Sequence, residues 1–454
     1  MTMLMNFKVK NFLSFSQEQE FSMVAGNVRN KDHHIIHDEN ISILRFAAIY
    51  GANASGKSNL LKALDFSKKA IIYGSSKNSK DKYFRLDKES EKNPTTFEYE
   101  FKIDNKYYAY GFNMILSEGK FTGEWLYELK KNTESLIYER DMVNKSFKNG
   151  LKLNSKDSKI RFKIYSEDLI SNEKVLFISE INRNESMLQK YVEFKVFHKI
   201  FQWFSNTLDI NFPNKPISST EFFVENNNDT NNKIFKLLDS LDTGITNFEL
   251  VDSSIEEISR FVPKEIIKDI EEDLLEGNSQ DENHKKTIHL RSPHNLHSIS
   301  LTKDKNIEIK TMYFSHGTKG GNFILGEESD GTRRLLDLLE ILLGDEDKVY
   351  IIDEIDRSLH PNLTYKFIEL FFDVLTDKNI QLIITTHEDR ILDLNLLRRD
   401  EIWFVEKQEE GYSNLYSLEK FKARFDTKIL NAYLEGRYGA IPKFKNLIEV
   451  GGED

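Results

Sequence analysis

Cysteine is absent from all 454 residues. That absence removes disulfides, zinc–thiolate sites, iron–sulfur clusters and a cysteine nucleophile together. Proline and glycine are scarce, at 7 and 21 residues, which argues against long flexible linkers and for a continuous, element-rich chain. No apolar run approaches the roughly 18 residues that a bilayer crossing needs. The opening MTMLMNFKVKNFLSF lacks the basic segment and long apolar segment of a signal peptide. These features point to a cytoplasmic protein without membrane contact. A basic excess is lacking as well: 74 acidic against 63 basic side chains give a net charge of −11. No whole-protein positive field draws nucleic acid, although local basic patches stay open.

What is present describes a soluble globular chain, 39% apolar and 30% charged, long enough for two or three domains at about 150 residues each. No repeat period or low-complexity tract occurs. Residues 1–115 carry alternating apolar segments around 7–12, 43–50 and 96–101, which read as strands, with a helix from about Asn59 to Ile72. Residues 116–290 are more polar and read as a compact helical insertion, helical around Met187–Phe204 and Ile255–Leu275. Sustained heptads are missing, so the insertion is no long coiled coil. Residues 277–284, GNSQDENH, read as an exposed loop. Strand and helix signals return in 291–454.

The strongest motif is Gly51-Ala52-Asn53-Ala54-Ser55-Gly56-Lys57-Ser58, followed by Asn59. It fits G-x-x-x-x-G-K-[ST] at every fixed position, between an apolar strand and a helical pattern. Glycines let the backbone wrap a polyphosphate, and N–H groups at the helix start point at the anion. In this pattern Lys57 reaches the β- and γ-phosphates of ATP and the Ser58 hydroxyl ligates Mg²⁺.

Three weaker signals follow. Val349-Tyr350-Ile351-Ile352-Asp353-Glu354 is an apolar run ending in two carboxylates, the form of a buried parallel strand that presents ligands at its carboxyl end. Asp353 is placed to hold Mg²⁺ and Glu354 to orient or deprotonate a water. Gln381-Leu382-Ile383-Ile384-Thr385-Thr386-His387 is a second such strand. Its histidine is either a γ-phosphate sensor or a plain cap of the next element. Ser329-Asp330-Gly331-Thr332-Arg333-Arg334 precedes a leucine-rich helix, where Ser329 taken alone reads first as an ordinary N-cap, and otherwise as an anion site facing a second subunit.

In this order the motifs resemble the ATPase head of the ABC superfamily, in the soluble branch that includes the RecF, Rad50 and structural-maintenance ATPases. Phe7-Lys8-Val9-Lys10-Asn11-Phe12-Leu13-Ser14-Phe15 resembles the first strands of that branch. Asp353 to Pro361 resembles the overcoming-lysogenization-defect ATPases and the ABC-like ATPases of abortive-infection and PARIS-type phage defence. Leu430 to Pro442 looks like the closing segment of the defence group. The resemblance covers about 1–115 and 290–454. It implies an α/β fold, an ABC-type P-loop ATPase head with an N-terminal β-rich lobe and a mostly helical insertion. It further implies a head-to-head dimer or larger homo-oligomer that sandwiches two ATP molecules. Lys57 and Ser58 of one copy would then face Ser329 and Gly331 of the other, with Glu354 as base and His387 as switch. A molecular switch that senses phage infection and holds or releases a separately encoded toxic effector is the implied role. A RecF/Rad50-like DNA-binding ATPase of repair or recombination is the alternative, and a scaffold that binds ATP and hardly hydrolyses it is a third reading.

The chain departs from the pattern in three places. Only Ser329 and Gly331 match the Leu-Ser-Gly-Gly-Gln signature of many transporters, His360 stands where an aspartate is common, and the glutamine that couples Mg²⁺ to lobe motion has no assigned position. Glu401, Glu406, Glu409, Glu410 and Glu419 lack an Asp-x-Asp companion, so no nuclease is expected in this chain. Residues 145–163 carry Lys145, Lys148, Lys152, Lys156, Lys159, Arg161 and Lys163 against Asp157, with Phe147 and Phe162 interleaved. They read as a solvated lysine-rich hairpin or as a patch for DNA or an acidic phage protein that mimics it. Lys68, Lys69, Lys77, Lys80, Lys82 and Arg85 form a second cluster of the same kind. Phe421–Tyr438 alternates apolar and charged residues at helical spacing, as core or as a partner-docking helix.

Overall fold

The computed structural model describes residues 1–38, 41–183, 188, 190–213, 228–276, 287–292, 294–301, 306–317, 321–344, 347–421 and 429–441. The chain divides into two compact units. The first comprises Met1–Asn214, Asp345–Asp356 and Phe372–Asp454, the second Lys215–Gly344 and Arg357–Phe371.

The first unit holds two large sheets, with a two-stranded one of Ile35–His37 and Ser42–Leu44, around one large core. A seven-stranded antiparallel sheet runs Ser146–Asn149, Thr133–Asp141, Lys120–Lys130, Lys106–Ile115, Thr95–Ile103, Thr2–Lys10 and Gln19–Ser22 in spatial order. A six-stranded sheet runs Leu208–Asn211, Lys348–Ile352, Ile380–Thr385, Phe46–Tyr50, Ile402–Lys407 and Ser413–Ser417. Its first five strands are parallel, and the last returns antiparallel. Parallel strands covered on both faces need continuous apolar sequence, and Phe46-Ala47-Ala48-Ile49-Tyr50 is buried at every position.

The helix Lys57–Tyr73 buries Leu60, Leu61, Leu64 and Ile71 in the core shared with Ala47, Ile49, Ile351 and Ile383. A buried amide helps join the two large sheets: Gln381 accepts from Leu4 N at 2.7 Å and donates to the carbonyls of Leu4 and Leu44 at 3.0 and 2.9 Å. The exposed edge of Ser413–Ser417 is blunted, since the N–H groups of Ser413 and Leu415 donate to Ser14 O and Gln19 Oε1, each at 2.8 Å.

The structure differs from the sequence reading between 116 and 150. These residues are strands of the antiparallel sheet, and the first unit continues to Asn214. The physical cause is the half-exposed sheet. Lys120–Lys130 buries Phe121, Glu124 and Leu126 and leaves Lys120 and Glu128 partly exposed and Lys130 exposed, so its mean polarity resembles an insertion while its alternation is that of a strand. The basic run 145–163 is no hairpin but a strand, Ser146–Asn149, and a capped helix, Lys156–Leu169. Helices do follow at Lys195–Gln202, and the helices Ile255–Ile258 and Lys264–Glu276 fall on the stretch expected at Ile255–Leu275. The expected loop at 277–284 lies outside the described residues.

The tail docks on its own unit. Tyr433 and Tyr438 stack on Phe404, with centroids at 5.5 and 6.0 Å, and Tyr416 donates to Tyr438 O at 2.6 Å. That favours core over a free docking helix for the described part, Ile429–Ile441.

The second unit has its own sheet, ordered Ile245–Asp252, Ile307–His316, Leu296–Leu301 and Thr287–Arg291, with Asn322–Ile324 pairing the second of these. Ile267, Ile270 and Leu274 of the helix Lys264–Glu276 pack on Ile299 and Ile309. The helix Asp330–Leu343 buries Leu335, Leu336, Leu338, Leu339, Ile341 and Leu342, as its leucine pattern requires.

One polar node ties the antiparallel sheet to the segment beside it. The fully buried Glu124 accepts from Tyr110 and Tyr138 hydroxyls at 3.0 and 2.7 Å and from the N–H groups of Phe177 and Ile178 at 2.7 and 3.1 Å. Arg140 lies 3.5 Å away and donates to the carbonyls of Val175, Leu169 and Asn172. Removing one partner of a buried pair strands the other charge, at a cost of about 3–5 kcal/mol. Glu124→Ala should therefore lower the unfolding free energy of the first unit by that order, seen as a fall in its urea midpoint. All three tryptophans, Trp125, Trp203 and Trp403, lie in that unit, so their fluorescence reads it directly.

Candidate active site

The carboxyl ends of three adjacent parallel strands, Phe46–Tyr50, Lys348–Ile352 and Ile380–Thr385, converge on the start of the helix Lys57–Tyr73. The loop between the first strand and that helix is shaped for close backbone approach. Gly56 has φ +116°, and a Cβ there would meet Ser413 Oγ at 2.5 Å and Ser14 Oγ at 2.8 Å. A Cβ on Gly51 would meet Val405 O at 2.4 Å. Ala54, at the exposed tip beside Asn53, holds a left-handed φ of +61°. The helix N-terminus has no side-chain cap and no acid in its first turn, which leaves its N–H groups for an anion.

Lys57 is buried, and its ammonium donates to the Gly51 carbonyl at 2.7 Å. Burial pulls its pKa down to about 8, against the opposing charges of Asp353, Asp356 and Glu354. The Ser55 hydroxyl is buried without a hydrogen-bond partner among the described residues. A cradle closed to any Cβ, an inward ammonium, an orphaned hydroxyl and an uncapped helix start together fit a polyphosphate.

At the next strand end, Asp353 accepts from the Ser58 hydroxyl at 3.2 Å and the Thr385 hydroxyl at 2.5 Å. A carboxylate beside a serine hydroxyl is an all-oxygen donor set suited to Mg²⁺. Glu354 follows in a left-handed conformation, φ +47°. Its N–H donates to Thr385 Oγ1 at 2.9 Å, and that of Ile355 donates to Thr385 O at 3.1 Å. His387 has an exposed side chain, and its N–H donates to Asp356 Oδ1 at 3.3 Å. Desolvation first, and the Lys57 charge second, hold its imidazole below the usual pKa.

Gly51, Asn53, Ala54, Ser55, Gly56, Lys57, Ser58, Asn59, Asp353, Glu354 and His387 thus belong to one unit, on the loop and strand ends described. Ser329 and Gly331 belong to the second unit. The exposed Ser329 N-caps its helix by accepting from Thr332 N at 3.0 Å, and a Cβ on Gly331 would meet Ser358 O at 3.0 Å. Sequence reasoning missed Thr385, Ser14 and Ser413. Asn59 donates to Ser14 Oγ at 2.9 Å and Ser413 donates to Ser55 O at 2.5 Å. The one available signal was a hydroxyl in an otherwise apolar strand end at Thr385.

The aromatics of the basic stretch 145–163 pack on their own unit, and together with Lys159 and Lys163 they line a shallow surface pocket. Phe147 stacks on Tyr138 at 5.7 Å, Phe162 is buried, and both rings pack on Phe177. Lys148 pairs with Glu139.

A phosphate-cradling loop at the head of a parallel sheet, with two carboxylates at the end of the strand next but one, defines a P-loop nucleotide-binding protein. The chain belongs to the family described as AAA domain, putative AbiEii toxin, Type IV TA system, whose model matches residues 46–393. It is thereby a P-loop ATPase-domain protein related to abortive-infection AAA proteins. No curated protein matches it in sequence. Solved structures similar to it include the SmcHead bound to the C-winged helix domain of ScpA, at 14% identity and TM-score 0.41, covering 91% of this chain and 97% of that one. The SMC head domain from Thermotoga maritima matches at 12% identity and TM-score 0.36, covering 91% and 98%. The Smc head domain with an extended coiled coil, bound to the C-terminal domain of ScpA derived from Pyrococcus furiosus, matches at 15% and 0.38, covering 92% and 98%. No helix among the described residues is long and apolar enough to cross a membrane.

The lowered pKa of Lys57 has a measurable consequence. Below about 8 the ammonium is charged and ready for phosphate; above it, the free protein must take up a proton to bind. ATP affinity should be flat below about pH 8 and fall up to about tenfold per pH unit above it. Lys57→Met should weaken binding and remove the slope. An unchanged affinity through pH 9 in the unsubstituted protein contradicts the assignment.

Proposed function

We propose that the chain hydrolyses ATP and uses the cycle as a switch in anti-phage defence, holding or releasing a separately encoded toxic effector. The observation that carries the hydrolytic part is the convergence of Ser58, Asp353 and Thr385 beside Lys57 and Glu354 at three strand ends. Family membership supports the defence setting.

In this reading Gly51 and Asn53 to Asn59 bind the nucleotide, with backbone N–H groups and the Lys57 ammonium meeting the β- and γ-phosphates. Ser58 and Asp353 would hold Mg²⁺, which when bound supplies charge stabilisation on the phosphates. Glu354 accepts a proton from the attacking water through its carboxylate, and Lys57 stabilises the charge that builds as the terminal phosphate leaves. His387, exposed at the end of its strand, presents its imidazole to the γ-phosphate region. Ser329 and Gly331 of a second copy complete the site from the other side, so that ATP binding closes a head-to-head dimer and product release opens it.

The test uses Glu354→Gln, tagged and purified from its native gene neighbourhood in MgATP, with native mass spectrometry of the intact assembly. The expected result is an even number of copies with ATP retained, together with a stoichiometric second polypeptide. A monomer that holds no ATP contradicts the switch, and tightly held nucleic acid without a protein partner contradicts the effector role.

A further inference from the structure

We infer that Thr385 is a positioning residue that sets the metal-facing carboxylate and the catalytic glutamate with one side chain. The inference rests on the ATP-hydrolysing reading of the site. A threonine hydroxyl has a single proton and two lone pairs. Asp353 Oδ1, at 2.5 Å, is an acceptor when ionised, so that proton goes to Asp353. The oxygen is then left to accept, and the Glu354 N–H donates to it at 2.9 Å. The polarity of both bonds is fixed by chemistry, and neither can reverse while Asp353 is charged.

The second half of the argument is backbone strain. Glu354 lies at φ +47°, a conformation that disfavours a residue with a Cβ and persists only where its surroundings over-determine it. The two peptide N–H groups that flank its α-carbon are those of Glu354 and Ile355. Both end on Thr385, one on the hydroxyl and the other, at 3.1 Å, on the carbonyl. Thr385 therefore brackets the strained residue from both sides and fixes where its carboxylate departs from the chain. The residue is fully buried and in strand conformation, which a β-branched side chain suits. The strand end carrying it is stitched down on either side of His387's approach, with Thr386 N donating to Ile49 O at 3.2 Å and His387 N to Asp356 Oδ1. Any movement of that strand end is passed to Glu354 and Asp353 together.

Thr385→Val keeps the shape and removes the hydroxyl; Thr385→Ser keeps the hydroxyl and removes a methyl. Three readouts on the full chain separate a positioning role from a structural one: ATP affinity in EDTA, the Mg²⁺ concentration at which that affinity tightens by half, and kcat against KM. Support for a second partner of a metal ligand is commonly reflected in a loss of 10–100-fold. Thr385→Val should leave EDTA affinity within about twofold, raise the Mg²⁺ midpoint by about tenfold, and lower kcat by about ten- to a hundredfold with little change in KM. Thr385→Ser should stay within about threefold of the unsubstituted protein in all three. Thr385→Val with an unaltered Mg²⁺ midpoint and kcat overturns the inference, as does Thr385→Ser failing as badly as Thr385→Val. Should Thr385→Val not fold, the inference still falls if Thr385→Ala folds with an unaltered midpoint. A protein that binds MgATP but never cleaves it refutes the hydrolytic reading alone, and the Mg²⁺ midpoint then still decides the Thr385–Asp353 contact.

Discussion

Asp353 is 4% exposed at the end of a buried strand, and a carboxylate taken that far from water has to be met by donors. Ser58 and Thr385 supply them, and they arrive from segments 295 and 32 residues away. That requirement explains much of the first unit. The phosphate-loop strand must sit beside the strand of Thr385, which must sit beside that of Asp353, and the sheet order obeys. A parallel arrangement puts all three carboxyl ends on one side, where a nucleotide binds in folds of this kind.

The loop completes the constraint. Glycine at 51 and 56 keeps the backbone free of Cβ atoms that Val405 and Ser413 would reject. Lys57 is drawn inward to the Gly51 carbonyl and loses much of its proton affinity there, so the free loop holds its cation close to the site in a partly desolvated state. Phosphate binding would return that lost solvation as charge, which is the physical basis of the expected pH dependence. Away from the site, Gln381 and the Glu124–Arg140 node hold the antiparallel sheet to the parallel one and to its flanking segment, which keeps the strand ends in register.

Much of this was legible in the sequence, for a physical reason that also marks its limit. The phosphate loop demands glycine, lysine and serine at fixed spacing, and fully buried strands demand unbroken apolar runs, so residues 46–58, 349–354 and 381–387 announce themselves. Residues 120–149 do not. Their strands keep one face in solvent, and Lys120, Glu128 and Lys130 make the average look like a polar insertion. Thr385 was hidden in another way: its hydroxyl matters because of what lies across the sheet, which spacing along the chain cannot express. The interleaved phenylalanines of 145–163 left a solvated basic stretch and a ligand patch both open; Phe147 and Phe162 pack against Phe177, a contact that spacing along the chain cannot express.

The most direct test of the hydrolytic site is a single turnover of γ-labelled ATP, at matched nucleotide occupancy, by the unsubstituted protein and by Glu354→Gln. The account predicts release of labelled phosphate by the first and at least about a hundredfold slower release by the second, with intact ATP still bound. Equal rates for the two proteins, or no cleavage by either, would contradict it.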